Sequence, residues 1–126
     1  MAHSLQQIVE QYIIAYNNFD IDGMLKKLHP AIVFKNITQG EVDLVTNGLT
    51  EFKSQAEKAT TLFSERNQVI TGFKFRHQQV EVAIDYQAVL AIDLPNGLKK
   101  GEGITLKGKS IFNFENDLIV LIEDYS

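Results

Sequence analysis

Two tyrosines, a late aspartate and two neighbours on one strand are the groups in this sequence placed to do chemistry. Tyr12 and Tyr16 stand four residues apart on the apolar face of a helical segment, so both phenols can point the same way. They are either hydrogen-bond donors in a pocket or core aromatics whose hydroxyls reach backbone or water. Asp124 follows Val120 and Ile122 at a spacing of two, which puts all three on one side of a strand. If that side faces inward, Asp124 is a carboxylate at one end of an apolar pocket. Burial raises its pKa there and makes it a usable base for a proton next to a carbonyl; the other reading is a solvated residue at a fraying strand end. Ser110 lies on the dry side of an alternating strand, either making room or donating to a ligand, with Phe112 beside it as an apolar ligand contact.

Other chemistries find little support. The chain has 126 residues, 12 basic against 16 acidic, a net charge of −4 and no cysteine. Disulfides, thiolate zinc sites and a cysteine nucleophile are excluded, and the charge argues against nucleic acid or an anionic membrane as a partner. His3, His29 and His77 have neither the spacing nor the neighbours of a metal site, and no cofactor is expected. Gly101-Glu102-Gly103 lacks the context of a phosphate loop, and Glu65-Arg66 reads as a surface pair. The first residues lack a basic and then apolar leader, and no run approaches a membrane span, so a cytoplasmic protein is expected.

The elements that must position these groups follow from periodicity. Leu5, Ile8, Val9, Tyr12, Ile13 and Tyr16 recur at three and four residues, a helix from about Leu5 to Asn17 with Ser4 and Gln7 as a capping box. Asp20 can cap a shorter helix bearing Ile21, Met24, Leu25 and Leu28, which His29-Pro30 ends. Ala31 to Lys35 reads as a short strand, 36–48 as loop or irregular strand, Thr50 to Ser64 as a third helix, and Val69 to His77 as a strand. Gln79 to Leu94 and Glu102 to Phe114 alternate strictly and form a long hairpin; Leu118 to Tyr125 closes the chain as a strand apolar on both faces. One α+β domain, 1–126, is therefore expected, its curved sheet packed on helices and leaving a conical pocket at one end.

The stretch Gln11 to Leu25, followed by Leu28-His29-Pro30-Ala31-Ile32-Val33-Phe34, resembles the opening of the nuclear transport factor 2-like superfamily. Within it the nearest resemblance is to the SnoaL-like polyketide cyclase and ketosteroid isomerase group, whose last hairpin the segments Ser110 to Ile119 and Asp124-Tyr125 also resemble. The resemblance implies a cone-shaped, cystatin-like α+β barrel with a mixed, mainly antiparallel sheet around the N-terminal helices. It specifies fold well and reaction poorly, because this fold hosts isomerases, cyclases, dehydratases and non-catalytic binders.

Carried over one residue at a time, the isomerases' oxyanion-binding tyrosine falls on Tyr12. Their general base falls on Asn36, which takes no proton at neutral pH, and their protonated aspartate on Ser110. Steroid isomerisation is therefore not expected. The polyketide cyclase branch resembles this chain in a polar residue near Asn36 and a late acid, for which Asp124 is the counterpart. Asn36 then lines the pocket, although its type also suits a turn residue bonding its own backbone. The expected function is binding of a small, largely apolar molecule, with proton abstraction next to a carbonyl by an isomerase or cyclase; the alternative is a non-catalytic ligand-binding or dimerisation module. Ala83, Val89, Ala91, Ile111, Ile119 and Leu121 would form an apolar outer face, and the resemblance implies a homodimer through it.

Overall fold

In a computed structural model that describes residues 2–126, with side chains from Ser4 onward, the chain runs α1 (Ala2–Asn17), α2 (Ile21–Leu25), β1 (Leu28–Thr38), β2 (Glu41–Asn47), α3 (Gly48–Thr60), β3 (Phe63–Arg76), β4 (Gln79–Leu90), β5 (Gly103–Glu115) and β6 (Leu118–Tyr125). The six strands make one sheet in the order β2-β1-β6-β5-β4-β3. All neighbours are antiparallel except β1 and β6, which are parallel. Strands of this length twist and curl, and the sheet stays open with β2 and β3 as its edges. The α+β class and the curved, mixed sheet expected from the sequence are observed.

Alternation in β4 and β5 sends Val80, Val82, Phe112 and Phe114 to the covered face, where α1 lays down Leu5, Ile8, Val9, Tyr12 and Ile13. Val9, Val80, Val82, Ile32, Ile119, Ile122, Leu90 and Phe112 are all less than 2 % exposed. Each is worth about 1.5–3 kcal/mol of transfer free energy, so this contact between helix and sheet dominates stability. Ile14 points away from it and is exposed.

The boundaries differ from the sequence reading in instructive places. α1 begins at Ala2, which puts Ser4 inside the helix and removes the capping box. The α2 cap is as expected, the Gly23 N–H donating to Asp20 Oδ1 at 3.0 Å, but Leu28 opens β1 instead of extending the helix. The stretch 36–48 holds a full strand, β2, reached through Gln39 and Gly40, both at positive φ as a tight hairpin turn demands. Its alternation was hidden because it is an edge strand with Val42 and Val45 exposed. α3 stops at Thr60, and Phe63 opens β3, which therefore begins six residues before Val69. A bulge between Asn113 and Phe114 on the β5–β6 ladder shifts β6. Ile119 thereby takes the inward place expected of Val120, is fully buried, and drops out of the outer apolar face. Among the described residues no helix is long and apolar enough to cross a membrane.

Candidate functional site

Three of the sequence candidates fall in one row across the sheet. Asn36 on β1 is the register partner of Asp124 on β6, and Asp124 is the partner of Ser110 on β5. Cross-strand neighbours share a face, and this row forms one wall of a cavity of about 300 Å³ between the sheet and the helices. Tyr12 and Tyr16 line it from α1, Phe52 from α3, and Arg66, Gln68 and Tyr86 from the β3–β4 ladder. A second lobe of about 310 Å³ shares Tyr16, Tyr86, Asn36, Ser110 and Asp124 and extends past Gly108 toward Tyr125. Asp124 thus stands where the two lobes meet.

The Ser110 hydroxyl donates to Asp124 Oδ1 at 2.6 Å. Burial pushes the Asp124 carboxyl up to about 6, opposed by that hydroxyl, which favours the charged form. A carboxylate in that range ionises near neutrality and is a much stronger base than a surface aspartate. Tyr12, 8 % exposed, packs edge-on against Phe112 with ring centroids 5.5 Å apart. Burial, and next the Asp124 charge, hold its hydroxyl well above the usual phenol range, so it stays a donor at every relevant pH. Phe112 itself is 1 % exposed and backs the Tyr12 ring; the ligand contact expected of it is corrected to a packing role behind the cavity wall.

The Tyr16 hydroxyl pairs with that of Tyr86 at 3.0 Å, and burial raises both phenols above their ordinary value. Asn36 sits mid-strand, where its Nδ2 donates to Asp43 Oδ1 at 2.9 Å while the Thr38 hydroxyl donates to Asp43 Oδ2 at 2.8 Å. It is therefore held by a side chain of β2, and the alternative of a turn residue bonding its own backbone does not apply. The hydrogen bonds from Thr38 and then Asn36 hold Asp43 below its ordinary value.

Arg66 was missed. It is 5 % exposed, faces inward opposite Ala88, and lines the cavity, so the surface pair with Glu65 is corrected. Its Nε donates to the Tyr16 carbonyl at 2.8 Å, and its guanidinium carbon lies 3.7 Å from the Tyr16 ring centroid and 4.5 Å from that of Phe19. Nearby, Asn17 accepts from the Gln68 N–H and donates to the Gln68 carbonyl, pinning the end of α1 to β3. The signal was present: Arg66, Gln68 and Ile70 alternate, and starting the strand at Val69 concealed it. Among the described residues no three His, Asp or Glu side chains converge as metal ligands.

No protein-family model matches the sequence, and comparison with curated proteins finds no match. Solved structures do match over nearly the whole chain. A nuclear transport factor 2-like protein of unknown function from Burkholderia pseudomallei has a TM-score of 0.79 at 20% identity, covering 96% of this chain and 88% of that one. A proposed polyketide cyclase from Xanthomonas campestris has 0.80 at 19%, covering 98% and 90%. A proposed SnoaL-like polyketide cyclase from Jannaschia has 0.81 at 9%, covering 97% and 84%. The protein has the nuclear transport factor 2-like fold, which it shares with cystatin-fold and ketosteroid isomerase-like proteins.

Proposed function

We propose that the protein binds a small, largely apolar carbonyl compound in this cavity and abstracts a proton next to the carbonyl, with Asp124 as base. The observation that carries this reading is Asp124 itself, hydrogen-bonded to Ser110 on the wall of a mostly apolar cavity and raised toward neutrality by burial. Asp124 takes the proton from the α-carbon, and the C–H electron pair moves into an enolate. The carbonyl oxygen, now negative, accepts a hydrogen bond from Tyr12. In an isomerase the proton returns from Asp124 to a different carbon. In a cyclase the enolate carbon bonds to a second carbonyl carbon of the same molecule, and the resulting alkoxide takes the proton back from Asp124. The two solved proteins named as proposed polyketide cyclases fit this chemistry class.

A second reading keeps the cavity without turnover. It is favoured by Asn36 and Ser110, which supply no second carboxylate, and by the bond that already ties Asn36 to Asp43. Asp124→Asn separates the two. Proton abstraction is lost with ligand binding retained in the first, whereas in the second no turnover exists to lose.

We further propose a homodimer through the outer face of the sheet. Its rows mix half-buried Leu121, Ile111 and Val33 with Lys35, Glu123, Glu81 and Lys74, and such alternating charges can pair across a two-fold axis. Sedimentation velocity of the wild type and of Leu121→Glu tests it: a dimer that dissociates in the variant is expected, and a wild-type monomer at micromolar concentration would refute it.

A further inference from the structure

Arg66 is a buried cation that makes no ion pair among the described residues. Its Nη2 is out of contact with solvent and has no hydrogen-bond partner, although Nε is satisfied by the Tyr16 carbonyl. The ion pair found among the described residues, Lys107 with Asp85, lies on the surface. Asp124 shares the cavity but forms no ion pair with Arg66. The two charges therefore occupy one cavity without an ion-pair contact. The Tyr16 and Phe19 rings and the Tyr16 carbonyl near the end of α1 compensate the guanidinium in part. A buried donor of a charged group left without an acceptor is costly, and native structures supply one.

The chemistry of that acceptor is constrained. A guanidinium presents its donors in a planar fork that matches a carboxylate, and Arg is the residue suited to buried pairs of this kind. A single guanidinium balances one negative charge. A phosphate dianion would bring two into a mostly apolar space that also holds Asp124, and would carry an uncompensated charge there. We propose that the ligand of this cavity is a monoanionic carboxylic acid on an apolar, ring-bearing body, with its carboxylate held by the Arg66 guanidinium on the cavity lining and the rest of the molecule reaching toward Asp124. This inference deepens the proposed function by naming the substrate class, and it rests on the cavity being a ligand site.

The test uses the full-length protein and calorimetric titration with aryl carboxylates, 2-naphthoate, 4-phenylbenzoate and cinnamate, each against its own primary amide. The acid and amide have the same shape and differ in charge. Wild type should bind at least one acid tenfold or more tightly than its amide. Arg66→Gln should abolish that preference while leaving amide affinity within about twofold, and Arg66→Lys, which keeps the charge and loses the fork, should retain only part of it. Because Arg66 also clasps α1, circular dichroism checks that the variants fold; the wild-type comparison of acid with amide needs no variant and stands alone. Equal affinity for acid and amide would overturn the carboxylate assignment and leave a site for neutral ligands. A preference that survives in folded Arg66→Gln would overturn the role of Arg66, and binding of neither series would overturn the inference together with the cavity reading beneath it.

Discussion

Ser110 and Asp124 face each other across the β5–β6 ladder and share a hydrogen bond of 2.6 Å on the wall of the cavity. The hydroxyl supports the ionised carboxylate, and burial opposes it more strongly. That balance sets the pH range over which Asp124 can take a proton.

The first prediction concerns stability. The folded pKa of Asp124 is about 6 against 3.8 in the unfolded chain, so between these values the folded protein binds more protons. Stability therefore falls as pH rises from about 4 to about 6, and the cost above that range is about 3 kcal/mol. Asp124→Asn carries no such cost. Its melting temperature should exceed that of the wild type by several degrees at pH 7.5, with the difference shrinking toward pH 4. A variant less stable than wild type at pH 7.5 would show that the carboxylate is not held in a desolvated site.

Ser110→Ala removes the hydrogen bond that lowers the Asp124 pKa. The acid limb of any activity profile should move to higher pH, with the plateau reached later and little change in ligand affinity. An unmoved limb would separate Ser110 from the titration of Asp124.

The paired hydroxyls of Tyr16 and Tyr86 should behave as a unit. Tyr16→Phe or Tyr86→Phe leaves one half-buried hydroxyl without its partner and should cost about 1 kcal/mol. The double variant should cost no more than either single one, a coupling visible in a double-mutant cycle of denaturant melts. Additive losses would contradict it.

Gly108 marks where the second lobe meets the end of β6, and a Cβ there would collide with the Tyr125 backbone carbonyl. Gly108→Ala should destabilise by roughly 1–3 kcal/mol, as overpacking against backbone does. An unchanged melting temperature would mean that the strand end is free to move aside.

Much of this was legible from periodicity. Val80 to Leu90 and Ile104 to Phe114 alternate because one face is dry, and Leu5 to Tyr16 repeats because one stripe packs against that face; burial imposes both patterns. Tyr12, Tyr16, Asn36, Ser110 and Asp124 do line one cavity. What stayed hidden depends on tertiary context. β2 is an edge strand whose exposed valines break alternation, and the bulge before Phe114 shifts Ile119 inward without any local signal. Arg66 is hidden for a different reason: charge normally means surface, and the rings of Tyr16 and Phe19 together with the Tyr16 carbonyl make its burial tolerable.

The most direct measurement is hydrogen–deuterium exchange at the α-carbon of bicyclic aryl ketones in D2O, starting with 1-tetralone and its ring carboxylates and followed by proton NMR. Wild type should accelerate exchange above the buffer rate, with activity rising through pH 6 as Asp124 ionises. Asp124→Asn should lose about 10²–10⁴ of that acceleration while still binding the ketone. Exchange by Asp124→Asn at the wild-type rate, or none by wild type on a ketone shown to bind, would contradict the assignment of Asp124 as the base.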